Sequence, residues 1–260
     1  MKRTILITLI CVLLLPAATF AESSNAMVSA APTAAAQIAR AQQLLQQLQQ
    51  APPAQKFELF AQAWGNLAIV RKRWPNDKNA VVRSGIMQAD LAAEFGAWSK
   101  TIEPLTEILP AAAKTDSEAQ VEQKLGQAYE RTGNAAEAET HLLAAERALH
   151  SAHAGRVQAE SVLSTVAMFY ARQNKPQEAI QRFRAAANLP GQSAINKTHF
   201  QLNVADQAAR LGRDAAAPEL TRFDDLVLAA RSTSLTPADA TLLDHMVQHA
   251  QRLRNPAPKH

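Results

Sequence analysis

The sequence predicts an all-α fold: an α-solenoid of about five antiparallel helical hairpins with a helix that caps the C-terminal end. Composition is the first observation, because 8 glycines in 260 residues and 5% aromatic residues leave little material for a many-stranded sheet. The abundant Ala, Gln, Glu, Leu and Arg are all good helix formers. The second observation is the spacing of apolar residues by three and four, which is typical of one helix face. The third is a pattern that occurs twice along the chain, with Gly126 and Ala167 at equivalent places.

The recurring pattern covers two helices and places small residues where antiparallel helices come closest. The first copy consists of Leu125-Gly126 and Tyr129 on one helix, then Ala138, Leu142 and Ala145 on the next. The second copy consists of Val166-Ala167, Tyr170, Ala179, Phe183 and Ala186. The number of positions from Gly126 to Ala167 is the repeat period of this chain. Between the small residues, an aromatic or aliphatic side chain fills the space between the helices. Hairpins of this kind stack on their neighbours and offer an extended surface.

This pattern resembles the tetratricopeptide repeat, which places Leu-Gly-x-x-Tyr on one helix and Ala-x-x-x-Phe on the next. The family's period is about 34 residues, and two extra helical turns explain the longer repeat period of this chain with only a small change of packing face. The sequence departs from the family at Glu122 and Leu163, where an aromatic residue is expected. Related helical repeats with a longer and more variable period are therefore the alternative family.

Four helices are predicted before the two clear copies, over residues 34–50, 54–74, 77–95 and 97–109. The proline pair at 52–53 ends the first helix, because proline disfavours helix in the residue before it. Gly96 is the hinge of the next hairpin and Pro110 closes it. The second helix carries one apolar stripe of residues spaced by three and four: Phe57, Phe60, Trp64, Leu67 and Val70.

Three segments follow the first copy's turn at Gly133-Asn134. The second copy turns at residues 174–176 and closes at residues 189–191. A fifth, degenerate hairpin covers residues 194–230 and turns at Gly212, with Ala205 and Ala217 keeping the twelve-residue offset of the clear copies. Thr236-Pro237 begins the last helix, which ends near Arg254, because threonine at the N-cap followed by proline favours a helix start. Its predicted apolar stripe is Leu242, Met246, His249 and Leu253.

Residues 1–21 have the features of a secretory signal peptide. Lys2 and Arg3 precede an apolar run over residues 5–15, which is too short to cross a bilayer, and the small residues Thr19 and Ala21 predict cleavage after Ala21. A lipid-anchored form that uses Cys11 is the alternative. We therefore expect a periplasmic protein without a membrane span after cleavage. The predicted boundaries are a signal peptide at 1–21, a flexible linker at 22–33, a helical repeat domain at 34–254 and a disordered tail at 255–260.

Charge and motifs exclude several function classes. Loss of Lys2 and Arg3 lowers the formal charge from +4 to +2, and such a balance argues against a nucleic-acid partner. No nucleophile motif or phosphate-binding loop is present, and the only cysteine lies in the signal segment. His245 and His249 are four residues apart and are the only metal-binding candidates, but no third ligand is nearby. We expect no enzyme activity, no metal and no cofactor.

The resemblance implies that the first helix of each hairpin lines a concave groove that holds a partner. Arg131, Arg172 and Arg210 occupy equivalent places, and such a row suits an acidic segment or a terminal carboxylate. The alternative is that each arginine only stabilises a helix C-terminus. Well-known members of the family hold a C-terminal carboxylate with a Lys/Asn set that is not found at these places. The predicted partner-binding residues are Gln123, Gln127, Arg131, Ser164, Met168, Arg172 and Arg210.

These observations predict an exported protein–protein interaction adaptor of the bacterial cell envelope, which binds a partner segment in its groove. One alternative is a structural subunit or a chaperone-like assembly factor that contacts partners through its flanks, for which an exposed stripe around Trp64 and Trp74 would be expected. A homo-oligomer is compatible with either. A metal-binding protein or an enzyme that uses the C-terminal helix is the remaining, weaker alternative.

Overall fold

The computed structural model describes residues 29–151 and 155–255, and within these ranges it contains eleven helices and no strand. The prediction of an all-α fold with five hairpins and a terminal helix is confirmed. The predicted signal peptide lies outside the described residues, as does the predicted tail apart from Asn255. The helices are α1 (Ala34–Gln50), α2 (Pro53–Arg73), α3 (Lys78–Glu94), α4 (Trp98–Ala112), α5 (Glu118–Arg131), α6 (Ala135–Ser151), α7 (Arg156–Arg172), α8 (Pro176–Ala187), α9 (Ala194–Leu211), α10 (Arg213–Arg231) and α11 (Pro237–Arg254).

The prediction that Pro110 closes a helix is wrong. Pro110 lies inside α4, which continues to Ala112, and the N–H of Ala113 still donates to the carbonyl oxygen of Leu109 at 3.0 Å. A proline near the end of a helix removes one backbone donor, and here the following residues keep their own bonds. None of the described helices is long and apolar enough to cross a membrane.

The chain divides into two compact units, of which unit 1 ends at Ala138 and unit 2 begins at Glu139. In unit 1, α1 packs on α2 and α3 on α4, and each hairpin packs on the helix that follows it. Two apolar clusters join α1, α2 and α3, and a third joins α3, α4 and α5 around the fully buried Leu105, Ile108 and Leu125. Because neighbouring hairpins share these clusters, they stack as in a solenoid.

Gly85 marks the closest approach between α3 and α4. A Cβ atom at this position would lie 2.4 Å from Cγ2 of Ile108 and 3.0 Å from the carbonyl oxygen of Pro104. Gly85 precedes Gly126 by one repeat period, the same separation that lies between Gly126 and Ala167. The repeat therefore extends one hairpin further toward the N-terminus than the two copies found in the sequence.

Unit 2 is built around the small residues of the repeat. Ala167, Ala179 and Ala186 have no exposed surface, and the aromatic side chain of Phe183 fills the space between α7 and α8. The predicted close contact at Ala217 is wrong, because Ala217 is exposed and its neighbour Ala216 is buried. A single residue, Gly212 with φ +133°, connects α9 and α10, whereas three residues connect α7 and α8. The turn is two residues shorter and α9 extends one residue further past Ala205 than α7 does past Ala167, so the register moves by one.

The last helix covers the end of unit 2, as predicted. α11 packs on both α9 and α10, and its buried residues Leu243, Met246 and Ala250 complete their apolar cluster. Leu242, which was assigned to this stripe, instead has 44% of its surface exposed. The correct stripe thus starts one residue later, which keeps a spacing of three and four through Met246 and Ala250.

Residues 29–33, the described part of the predicted linker, lie against α1. The N–H of Ala31 donates to Oε1 of the buried Gln37 at 2.5 Å, and the guanidinium of Arg40 donates to the carbonyl oxygen of Ser29 at 3.1 Å. Thr33 is the N-cap of α1, with its hydroxyl oxygen accepting from the N–H of Ala36. Side chains of α1 thus hold this part of the segment in place.

Candidate partner-binding site

Many charged side chains of both units connect equivalent helices of successive hairpins. In unit 1, Arg71 on α2 pairs with Glu107 on α4 at 2.6 Å, and Lys124 on α5 pairs with Asp90 on α3. In unit 2, Arg182 on α8 pairs with Glu146 on α6 at 3.4 Å. The residues of each pair are 34 to 36 positions apart. These charges therefore hold hairpins together, which leaves them less available to a partner.

Tyr170 is the centre of the most extensive of these contacts. The Nζ atom of Lys175 lies 5.4 Å from the centre of its ring and the guanidinium carbon of Arg182 lies 5.0 Å from it. Burial, together with a hydrogen bond to the carboxylate of Glu139, raises the pKa of Tyr170 to about 12. The phenol stays protonated at neutral pH and acts as a donor between α6 and α7, so its role is structural.

Glu219 forms a buried polar cluster between α8, α9 and α10. Its carboxylate accepts from Arg184 at 2.7 Å and from the amide of the buried Gln201 at 2.9 Å. Burial acts to raise the pKa of Glu219, but the hydrogen bond from Gln201 and the guanidinium of Arg184 outweigh it and lower the pKa. An ionised, fully bonded carboxylate of this kind stabilises the packing of three helices.

The predicted partner-binding residues of unit 1 differ in how accessible they are. Gln123 is buried, Gln127 is half-buried and Arg131 is exposed. The guanidinium carbon of Arg131 lies 5.4 Å from the centre of the Trp98 ring, a cation–π contact with α4. Gln123 thus offers little surface, and Arg131 already stabilises a contact between neighbouring hairpins.

In unit 2, the spacing of four residues places Ser164, Met168 and Arg172 on one face of α7. The hydroxyl of Ser164 donates to the carbonyl oxygen of Ser161 at 3.0 Å, Met168 is 43% exposed, and Arg172 is exposed. Arg210 on α9 donates to the carbonyl oxygen of Ala171 at 3.0 Å. Arg210 therefore caps the C-terminal end of α7, as the structural alternative for these arginines predicts.

A cavity of about 450 Å³ in unit 1 lies on a first-helix face, that of α3. Its floor is apolar, with Val82, Ile86 and Met87 from α3 and Ala111 from α4. Its rim is polar and consists of Asn79 and Arg83 from α3, Thr115, Asp116 and Ser117 from the following turn, and Gln120 from α5. An apolar floor with a few polar groups at the rim is typical of binding sites.

This cavity was not predicted from the sequence, although the repeat contains a signal for it. Counting back one repeat period from Gln123 and Gln127 leads to Val82 and Ile86, and the same step from Gln120 leads to Asn79. All of these earlier residues line the cavity. The predicted positions are thus equivalent to positions that line a cavity, but the side chains that form the cavity belong to the preceding hairpin.

A second cavity, of about 330 Å³, lies between α1 and α2. Five of its seven lining residues are Ser29, Gln43, Gln47, Gln62 and Asn66, and the others are Arg40 and Leu44. The carbonyl oxygen of Ser29 already accepts a hydrogen bond from Arg40, and Leu44 is the only large apolar contact. This cavity therefore offers less hydrophobic surface to a partner than the cavity formed by α3, α4 and α5.

The two histidines considered as metal-binding candidates differ in their contacts. Nε2 of His249 lies 3.4 Å from Oδ1 of Asp206 and its Nδ1 lies 3.4 Å from Arg252, whereas His245 is exposed. Among the described residues, no group of three or more His, Cys, Asp or Glu side chains is arranged to hold a metal ion. The contacts of His249 connect α11 to α9.

Comparisons with known proteins establish the fold of the chain. No family model and no curated protein matches it. Among solved structures, the chain is similar to BtubC (BKLC) from P. vanneervenii, with a TM-score of 0.57 and 14% identity over 78% of this chain and 92% of that one. A likeness at this level of identity shows a shared helical fold alone. The resemblance to the tetratricopeptide repeat stays a prediction.

Proposed function

We propose that this protein is an exported adaptor of the bacterial cell envelope that binds a segment of a partner protein on the first helices of its hairpins. The observation that carries the proposal is the cavity formed by α3, α4 and α5, with its apolar floor and polar rim. Export is supported by the signal-like sequence of residues 1–21. The cavity is the principal contact in this proposal.

The hydrophobic effect explains why such a cavity favours a partner. Val82, Ile86 and Met87 face a space that solvent enters, and burial of apolar surface stabilises a complex by about 25 cal/mol per Å² before the costs of association. The polar rim can meanwhile form hydrogen bonds with the backbone of an extended or helical segment. Neither role needs a reactive group, which agrees with the absence of catalytic motifs in the sequence.

The contacts of the tryptophans support the adaptor over a structural subunit that binds through its flanks. Trp64 is half-buried and stacks on Phe60 with ring centres 5.8 Å apart. Trp74 is half-buried and packs on the cluster of Ile38 and Val70. Of the apolar stripe on α2, only Phe57 is exposed, at 38%, and the residues from Phe60 to Val70 pack within unit 1.

Affinity capture with a covered cavity tests the proposal. The exposed rim residues Asn79 and Gln120 are both replaced by Trp, so that two large side chains cover the cavity without changing its buried floor. After crosslinking in intact cells, the tagged mature protein should retain a specific partner, and Asn79→Trp/Gln120→Trp should lose at least about 90% of it.

The matched control is Glu94→Trp/Glu103→Trp, which adds the same two side chains at exposed positions outside the cavity. It should retain the partner, and both variants should keep the melting temperature of the wild-type protein. Undiminished capture by the covered variant would place the interface elsewhere and contradict the proposal.

A further inference from the structure

The α3 side of the cavity has two cationic side chains that form no ion pair with the described residues. Arg83 is exposed on the rim, and Lys78 is exposed immediately before the lining residue Asn79. Neither forms an ion pair with any residue that the structure describes. Lys124, one repeat period after Arg83, is by contrast paired with Asp90. Arg83 and Lys78 on α3 are therefore available to a partner, whereas Lys124 on α5 is already paired.

The N-cap of α3 is an acidic residue, and the carboxylate of Asp77 offsets both the helix dipole and the neighbouring Lys78. α3 is 17 residues long and has no acidic residue in its first turn, and only the N-cap Asp77 accepts a bond from its backbone, from the N–H of Ala80 at 3.1 Å. The N-terminus of a helix carries partial positive charge.

The opposite wall of the cavity is different in charge. Glu118 lies in the first turn of α5 and accepts from the N–H of Lys114 at 2.7 Å, and Asp116 has an interaction of its own within the chain. Glu118, Asp116 and Asp77 thus all have contacts within the chain, whereas Arg83 forms no ion pair with the described residues, so an anion is favoured beside Arg83.

We propose that the α3–α5 cavity binds an acidic segment of a partner protein that inserts one large apolar side chain beside Arg83. This inference rests on the proposed function and names the chemistry of its partner. The apolar floor selects against a small anion alone, because only hydrocarbon gains by covering Val82 and Ile86. Arg83 disfavours a basic residue beside it, because like charges at an interface are unfavourable.

An anionic bilayer would meet the same cations, but the geometry fits it less well. Side chains that enter a bilayer project from a surface, whereas Val82 and Ile86 form the floor of a cavity. A floor of this kind receives an inserted side chain. The segment recognised is therefore acidic around a central apolar residue.

Selection from a display library of random peptides of about twelve residues tests the inference, with the full mature chain as bait. The selection is repeated with Asn79→Trp/Gln120→Trp, and affinities of the selected peptides are then measured for Arg83→Glu by fluorescence anisotropy. Arg147→Glu is the matched control, because Arg147 is exposed on α6 and lies outside the cavity. Anionic vesicles of phosphatidylglycerol are tested in parallel.

The expected result is enrichment of acidic peptides with a large apolar residue on the wild-type chain and not on the covered variant. Arg83→Glu should weaken their binding about ten-fold, and Arg147→Glu less than about two-fold. Cavity-dependent enrichment of neutral or basic peptides would overturn the inference and leave the proposed function standing. Absence of cavity-dependent enrichment, or vesicle binding that Arg83→Glu abolishes, would overturn it as well, and the capture experiment would then judge the proposed function separately.

Discussion

Equivalent helices of the two units share their buried positions and differ in their exposed faces. Gly85 on α3 and Ala167 on α7 are both small and buried, two repeat periods apart. The same two periods lead from Val82 to Ser164 and from Ile86 to Met168. Val82 and Ile86 line a cavity, whereas Ser164 bonds to its own helix and Met168 is exposed. The small buried residues therefore maintain the fold, and the face is free to change from one hairpin to the next.

The charges of the two units make the same contrast. In unit 2, Arg184 pairs with Glu219 at 2.7 Å and Arg210 caps α7. In unit 1, Arg83 forms no ion pair with the described residues and lies at the rim of an apolar cavity. Charges that connect helices contribute to stability, and an unpaired guanidinium beside an apolar cavity is suited to binding. On this difference we base the proposal that unit 1 recognises the partner.

The largest effect on stability is expected from filling the close approach in unit 1. Gly85→Leu should lower the free energy of unfolding by about 3 kcal/mol, because even its Cβ would overlap Ile108 and approach the backbone of Pro104. Urea unfolding measures the change. Asn79→Leu, at an exposed position of the same helix, should change the free energy by less than about 0.5 kcal/mol. Equal effects at both positions would show that Gly85 is not the helix contact of this repeat.

A smaller effect tests the register of the degenerate hairpin in unit 2. Ala216→Leu should destabilise the protein by about 2 kcal/mol through overpacking, since Ala216 is buried against α9 in the apolar cluster of α9, α10 and α11. Ala217→Leu, one residue later and exposed, should be nearly neutral. Thermal unfolding of the two variants distinguishes the registers. The reverse order would restore the twelve-residue offset predicted from the sequence.

The smallest effect on stability is expected from removing the charge of the buried Glu219, and this effect should depend on pH. Because the pKa of Glu219 is lowered in the folded protein, its stabilisation is fully present above the usual pKa of Glu and is lost as the pH falls through the lowered value. Glu219→Gln should therefore destabilise by about 1–2 kcal/mol at neutral pH, and this difference should shrink in acid. Thermal unfolding as a function of pH provides the measurement.

Glu107 in unit 1 provides the matched control. Its side chain is 50% exposed in its pair with Arg71, so Glu107→Gln should change stability by less than about 0.5 kcal/mol. A pH-independent deficit in Glu219→Gln would show that packing, rather than ionisation of Glu219, determines the effect.

The sequence predicted the fold class because periodicity and small residues depend on local packing alone. Gly126, Ala167 and Tyr170 are sufficient for the repeat. The hairpin over 77–110 was predicted too, but not the equivalence of Gly85 to Gly126, because Gln88 stands where Tyr129 and Tyr170 stand in the other copies. The small residue of α10 was predicted one position too late, because the sequence around Gly212 does not show that the turn has a single residue. These errors concern turns and substituted positions, where sequence periodicity carries little information.

Less of the candidate site could be predicted. The helix positions that face a partner were assigned from the resemblance, but the cavity depends on the joint shape of α3, the end of α4 and the start of α5. Whether an arginine is paired also depends on its three-dimensional neighbours, as Arg210 and Arg83 show. Such contacts are made by residues that are far apart in the chain, so they cannot be predicted from any single segment of the sequence.

The most direct test of recognition by unit 1 is site-specific photo-crosslinking in intact cells. A benzophenone amino acid replaces Met87 in the cavity or, in a parallel strain, the exposed Met168 on α7. We predict a crosslinked partner from position 87 and none from position 168, because Met87 lines the cavity that has Arg83 at its rim, whereas Met168 lines neither of the two cavities described. A partner crosslinked from position 168 alone would contradict the assignment and move recognition to unit 2.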